Sequence, residues 1–173
     1  AVDFNGVAAG SYNFTYEIPA AGACPSASAM VTVTVSNAPD AGQNASISIC
    51  NTDIVDLPSN LGGTPDAGGS WSDDNGAGVS LANPNAVNFN GVATGSYNFT
   101  YTVTGVAPCT NSIATLTINV TQAADAGGSG STSICNDGGS TVDLFATLTG
   151  SPDAGGTWSD DSGAGVSLAN PNT

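Results

Sequence analysis

AVNFNGVATGSYNFTYTV, residues 86–103, sets apolar side chains two apart on either side of an Asn-Gly pair. Val87 and Phe89 precede Asn90 and Gly91, and Tyr97, Phe99, Tyr101 and Val103 follow. A period of two puts alternate side chains on one face of an extended chain, so the stretch predicts a short strand, a turn and a long half-buried strand. The same alternation continues outward in both directions. Ile47 and Ile49 mark a strand ending at Cys50, Val55 with Leu57 the next, and Leu116, Ile118 and Val120 line the last. Trp71 follows a Gly pair where another strand resumes. No window carries a helical 3.6-residue period, and Gly and Asn punctuate the chain throughout. The expected fold class is all-β.

The stretch is one of two copies. AVDFNGVAAGSYNFTY from Ala1 returns as AVNFNGVATGSYNFTY from Ala86, alike at 14 of 16 positions and offset by 85 residues. PDAGGSWSDDNGAGVSLANPN from Pro65 returns from Pro152, alike at 19 of 21 and offset by 87. Two residues are inserted between Cys135 and Trp158, where NTDIVDL becomes NDGGSTVDL, a change that turns tolerate. One complete unit then runs over residues 38–122, with residues 1–37 the C-terminal part of one repeat and residues 123–173 the N-terminal part of the next. Turn signals at this spacing read as a seven-strand immunoglobulin-like β-sandwich, and the chain as such sandwiches in a head-to-tail array. Each half-unit exposes an apolar face and unpaired strand edges, so neither is expected to be stable alone. We read the polypeptide as continuing past Ala1 and Thr173; the alternative is separate subunits completing each other by strand exchange. In both, a neighbour's Ala1 region lies beside Thr173.

Composition narrows the function. The chain has 14 acidic residues and no Lys, Arg or His, a net charge of −14. Nucleic acids and anionic membrane surfaces require cations, so neither is an expected partner. No apolar run approaches the roughly 18–20 residues that span a bilayer, so no direct membrane insertion is expected. The cysteines Cys24, Cys50, Cys109 and Cys135 have no His to share a metal with, and no two lie closer than 26 positions. They read as disulfides formed in an oxidising, extracellular setting. Two pairings are open: Cys50–Cys109 within a unit, or, favoured because those two residues are expected at opposite poles, bonds between successive units.

The motifs SICNTDIVDL, GGSWSDDNGAG, GSYNFTYTVTG and APCTNSIATLTINV, with their second copies, resemble the immunoglobulin-like repeats of giant Bacteroidota cell-surface proteins, the adhesins and gliding-associated proteins. The resemblance covers almost the whole chain and implies a bacterial cell-surface address. It says little about a ligand, since one fold hosts many functions.

Asp161-Ser162-Gly163 spells the aspartic-protease tripeptide, but its repeat partner is Asp74-Asn75-Gly76, which breaks it. Without His, Lys or Arg a Ser nucleophile has no ordinary base, and no enzyme activity is expected. Asp73, Asp74 and Asn75, with Asp160 and Asp161, offer hard oxygen ligands, and calcium is the one cofactor they suggest. Their spacing does not match the calcium-loop pattern, and solvated turn acids are the competing reading. Trp71 and Trp158 read as core plugs rather than sugar-stacking platforms. The expected function is a structural or adhesive extracellular fibre whose partners are further copies or adjacent repeats stacked head to tail. The alternative is a carbohydrate- or ligand-binding module, favoured if Tyr12, Tyr97 or Trp71 is exposed beside acids.

Overall fold

The computed structural model describes residues 1–136, 138–169 and 171. The chain is all-β apart from a 3-10 turn at Pro58–Asn60 and a one-turn helix, α1, at Leu144–Thr147. It forms two compact units, Ala1–Gln122 and Ala123–Thr173.

Every strand among the described residues lies in the first unit. β1 (Gly10–Ile18) and β2 (Ala27–Val35) form an antiparallel hairpin, in register from Gly10↔Val35 to Ile18↔Ala27. β3 (Ala45–Cys50), β4 (Ile54–Val55), β5 (Ser70–Asp73), β6 (Val87–Asn88), β7 (Gly95–Val103) and β8 (Ser112–Thr121) follow. Four of them form one sheet in the order β3-β8-β7-β5, while β4 and β6 form a small second sheet. β3 runs parallel to β8; the other pairs are antiparallel.

The two sheets enclose the core. Val55, Leu57, Val87 and Phe89 come from the β4–β6 side, and Phe99, Tyr101, Val103, Leu116, Ile118 and Val120 from the β7–β8 side. Phe89 meets Phe99 edge to face, with ring centroids 5.8 Å apart. Each such burial contributes about 1.5–3 kcal/mol, which is why the apolar alternation fixes the register: a one-residue slip would turn this whole face to water. The opposite face carries Asn98, Thr100, Thr115 and Thr117, whose side chains hydrogen-bond across the strands.

Residues 38–122 contain six strands rather than the seven expected. Between β5 and β6 the chain runs through residues 75–86 without a ladder. Gly76 and Gly78 there take positive φ (77° and 73°), and Pro84 has no N–H to give. The segment is instead tied down by single bonds such as Leu57 N–H to Pro84 O at 2.9 Å.

In the second unit no strand forms among the described residues, although its sequence repeats that of β3 and β5. Its local wiring is nevertheless that of the first unit. Asp153 N–H bonds Asp125 O at 2.7 Å as Asp66 N–H bonds Asp40 O at 2.8 Å, and the Gly128↔Thr149 bridge matches Gln43↔Gly62. Asp143 caps α1 by accepting the Ala146 N–H at 2.8 Å. The missing strands are those whose ladder partners, β8 and β7, have no counterpart in residues 123–173. A strand without a partner leaves its backbone groups unpaired, and the extended conformation is then not held.

Candidate functional site

β5 and β7 set Trp71 opposite Tyr101. Their rings lie 5.0 Å apart, and the Tyr101 hydroxyl donates to Asp66 O at 2.7 Å while accepting the Gly69 N–H at 2.8 Å. The Gly68-Gly69 pair is required by this knot. Gly68 sits at φ +88°, and a Cβ on Gly69 would collide with the Tyr101 ring and the Thr102 carbonyl. Trp71 is half-buried and packs against the core, and its buried Nε1–H has no acceptor among the described residues. A cleft of about 410 Å³ opens beside it, lined by Pro58, Leu61, Asp66, Pro84 and Tyr101.

The aromatics that would have favoured sugar binding are not laid open. Tyr12, Tyr97 and Trp71 are all half-buried. The Tyr12 hydroxyl donates to Ala8 O at 2.9 Å and that of Tyr97 to Ala93 O at 3.1 Å, each bracing its own strand from four residues away.

The acids of the β5 turn serve the backbone. Asp73 Oδ1 accepts from Gly76 N–H (2.9 Å) and Ala77 N–H (3.0 Å), and Oδ2 from Gly78 N–H (2.9 Å). Burial is the largest single influence on this carboxyl and pushes its pKa up, but the N–H groups of Gly78, Ala77, Gly76 and Asn75 together hold it below the ordinary carboxylate value. Asp160 repeats the arrangement. Bonds from the Ala164 and Gly165 N–H groups, the two largest influences, lower its pKa against a smaller burial effect, with help from Gly163 and Ser162. Asp74 accepts from Ser72 Oγ (2.7 Å) and Thr100 Oγ1 (2.6 Å), and Asp161 accepts from Ser159 Oγ (2.6 Å). Asn75 bridges to β7, donating to Ser96 O (2.9 Å) and accepting from Asn98 N–H (2.7 Å). Asp73, Asp74 and Asn75 thus face separate partners. Among the described residues no three His, Cys, Asp or Glu side chains gather at metal-binding spacing.

The cysteines are four separate thiols, three of them exposed and Cys109 half-buried. Of the two pairings left open, the less favoured one, Cys50–Cys109 within a unit, is not formed, and the topology explains why. Cys50 ends β3 opposite Thr121, the last residue of β8, whereas Cys109 lies in the loop before Ser112, the first. The ten-residue β8 separates the two by about 30 Å, far outside the roughly 4.4–6.8 Å that a disulfide allows between Cα atoms. The Cys109 thiol points instead at the carbonyl of Ser36, 3.8 Å away, just past the end of the β1–β2 hairpin. No helix among the described residues is long and apolar enough to cross a membrane. No protein-family model, curated protein or solved structure matches the chain.

Proposed function

We propose that the chain is a structural or adhesive extracellular fibre protein, made of immunoglobulin-like sandwiches stacked head to tail at a bacterial cell surface. One observation carries this reading: the first and last strands of the 38–122 unit, β3 and β8, are parallel neighbours. The chain therefore enters at one end of the sandwich, where Ala41 N–H bonds Ser112 Oγ at 3.0 Å, and leaves at the other, where Asn51 N–H bonds Thr121 O at 2.9 Å. Units joined this way advance along a line rather than doubling back. Tension on the two ends lies along the strands and loads the bonds of the β3–β8 ladder together, in shear, instead of opening them one at a time.

The composition supports the same reading. An acidic surface with no Lys or Arg offers trypsin-like proteases no cleavage site, and like charge keeps separate fibres apart. The acids described above are engaged in turns, and no catalytic grouping is proposed for them.

Single-molecule pulling tests the mechanical role. The unit pulled through Ala41 and Gln122 should resist several times the force it bears when pulled through Ala45 and Leu116, which sit side by side in the ladder and peel it apart. Equal forces in the two geometries would contradict a load-bearing design.

A further inference from the structure

The unit at residues 38–122 leaves the β3 edge of its larger sheet open. β3 has β8 on one side only and is the outermost of four strands, and β4 likewise has β6 on one side only. In a parallel pair, successive residues of a strand turn their backbone groups alternately towards the partner and away from it. The Ile47 and Ile49 carbonyls accept from the Asn119 and Thr121 side chains of β8 at 3.4 and 2.9 Å, and Asn51 N–H bonds Thr121 O at 2.9 Å. Residues 47, 49 and 51 therefore face the ladder. Cys50 N–H faces away from it and is taken by Asp53 Oδ2 at 2.8 Å. Ser46 and Ser48 turn their N–H and C=O groups the same way, to a side where no strand lies among the described residues.

A groove of about 400 Å³ runs beside this edge, lined by Ile47 and Ile49 of β3 and by Ile54 and Val55 of β4. Asp53 and Asp56 line it too. Ile54 is 68% exposed, and in the second copy of the repeat Ser140 and Thr141 stand in the places of Asp53 and Ile54. Open edges are usually guarded by proline, by charge or by shortness. Ala45–Cys50 has six residues, none of them proline or charged. The opposite edge, β5, is four residues long and runs straight into the turn that Asp73 ties down.

We propose that the β3 edge takes an extended segment of a different protein as an added strand, a segment in which apolar residues alternate with Lys or Arg. Ser46 and Ser48 each supply one N–H donor and one C=O acceptor, enough to hold about five residues of a partner strand. The partner's apolar side chains, two apart, enter the groove among Ile47, Ile49, Ile54 and Val55 and leave water there. Charge decides the occupant. A second copy would bring net charge −14 to a groove that already holds two carboxylates, whereas a basic segment is drawn to Asp53 and Asp56. The same charge lets β3 stay uncovered without pairing edge to edge with other copies.

This contact gives the adhesive reading above a partner surface, but it fails separately from the load-bearing role, which needs no ligand. The probe is a blocked peptide of about seven residues in which Val alternates with Lys, and its binding to the 173-residue chain is read by fluorescence anisotropy. It should bind at low salt and weaken severalfold as salt rises to physiological levels. Ile54→Thr, at an exposed position that needs no repacking, should weaken it about fivefold. The same peptide N-methylated at alternate backbone nitrogens keeps its charge but cannot complete a ladder, and should bind about tenfold more weakly. Hydrogen exchange at the Ser46 and Ser48 amides should slow when the unmodified peptide binds. Equal binding of the N-methylated peptide, or indifference to Ile54→Thr, would reduce the contact to charge alone and overturn the proposal. Protection of Ser46 and Ser48 without any peptide would overturn it as well, because the chain or a second copy would already fill the groove. A peptide that does not bind, beside a 38–122 unit that still resists shear, removes this contact and leaves the load-bearing role standing.

Discussion

Phe99→Ala should cost the 38–122 unit about 3–5 kcal/mol, while Phe14→Ala, in the same sequence context, should cost about 1 kcal/mol or less. Phe99 is fully enclosed between Phe89 and the β8 side chains, so its removal leaves a cavity in a packed core. Phe14 touches Phe4 on one side and water on the other, so the solvent fills what the mutation empties. Urea denaturation of the two variants, followed by tryptophan fluorescence, measures the difference directly. Equal costs would mean that the hairpin has found a core of its own.

Oxidation should link successive units rather than close a bond inside one. Cys50 pairs with Thr121 in the β3–β8 register, and the repeat counterpart of Thr121 is Ser36. The Cys109 thiol lies 3.8 Å from the Ser36 carbonyl. A unit that ends in β2 would therefore bring its own counterpart of Cys50 to the Cys109 end of the next unit, whereas β8 keeps Cys50 and Cys109 about 30 Å apart. Oxidised glutathione would accept the two electrons and two protons that the thiols give up as the S–S bond forms, by way of a mixed disulfide. Peptide mapping under non-reducing conditions should find bonds between adjacent units and none between Cys50 and Cys109 of one unit. Finding the Cys50–Cys109 bond within a unit would refute the register.

Much of this architecture was legible in the residues. Alternation alone placed Tyr97, Phe99, Tyr101 and Val103 on one face of β7 and Leu116, Ile118 and Val120 on one face of β8, because burial on one side of a sheet writes itself into the sequence at period two. The Asn90-Gly91 turn and the strand resuming at Trp71 were equally visible, since only glycine tolerates the conformation or the crowding there. What escaped was non-local. The parallel pairing of Ile47 with Ile118 joins residues 71 apart and leaves no trace in either local pattern. The Tyr101 knot to Asp66 and Gly69 announced itself only through the Gly pair. Asp73 and Asp74 looked like metal ligands or solvated charge, and the backbone N–H groups that engage Asp73 come from three glycine-rich positions directly after it. The segment at 130–135 read as a strand because its residues are those of a strand; whether it becomes one depends on a partner that the pattern does not contain.

Electron cryomicroscopy of the fibre measures the end-to-end arrangement most directly. Strands of about ten residues at roughly 3.3 Å each, with their turns, make a sandwich about 35–40 Å long, so two successive units should advance the fibre by about 70–90 Å. Fibres with that axial rise and one continuous line of sandwiches are the expected result. Globular particles, or a rise well outside that range, would contradict head-to-tail stacking.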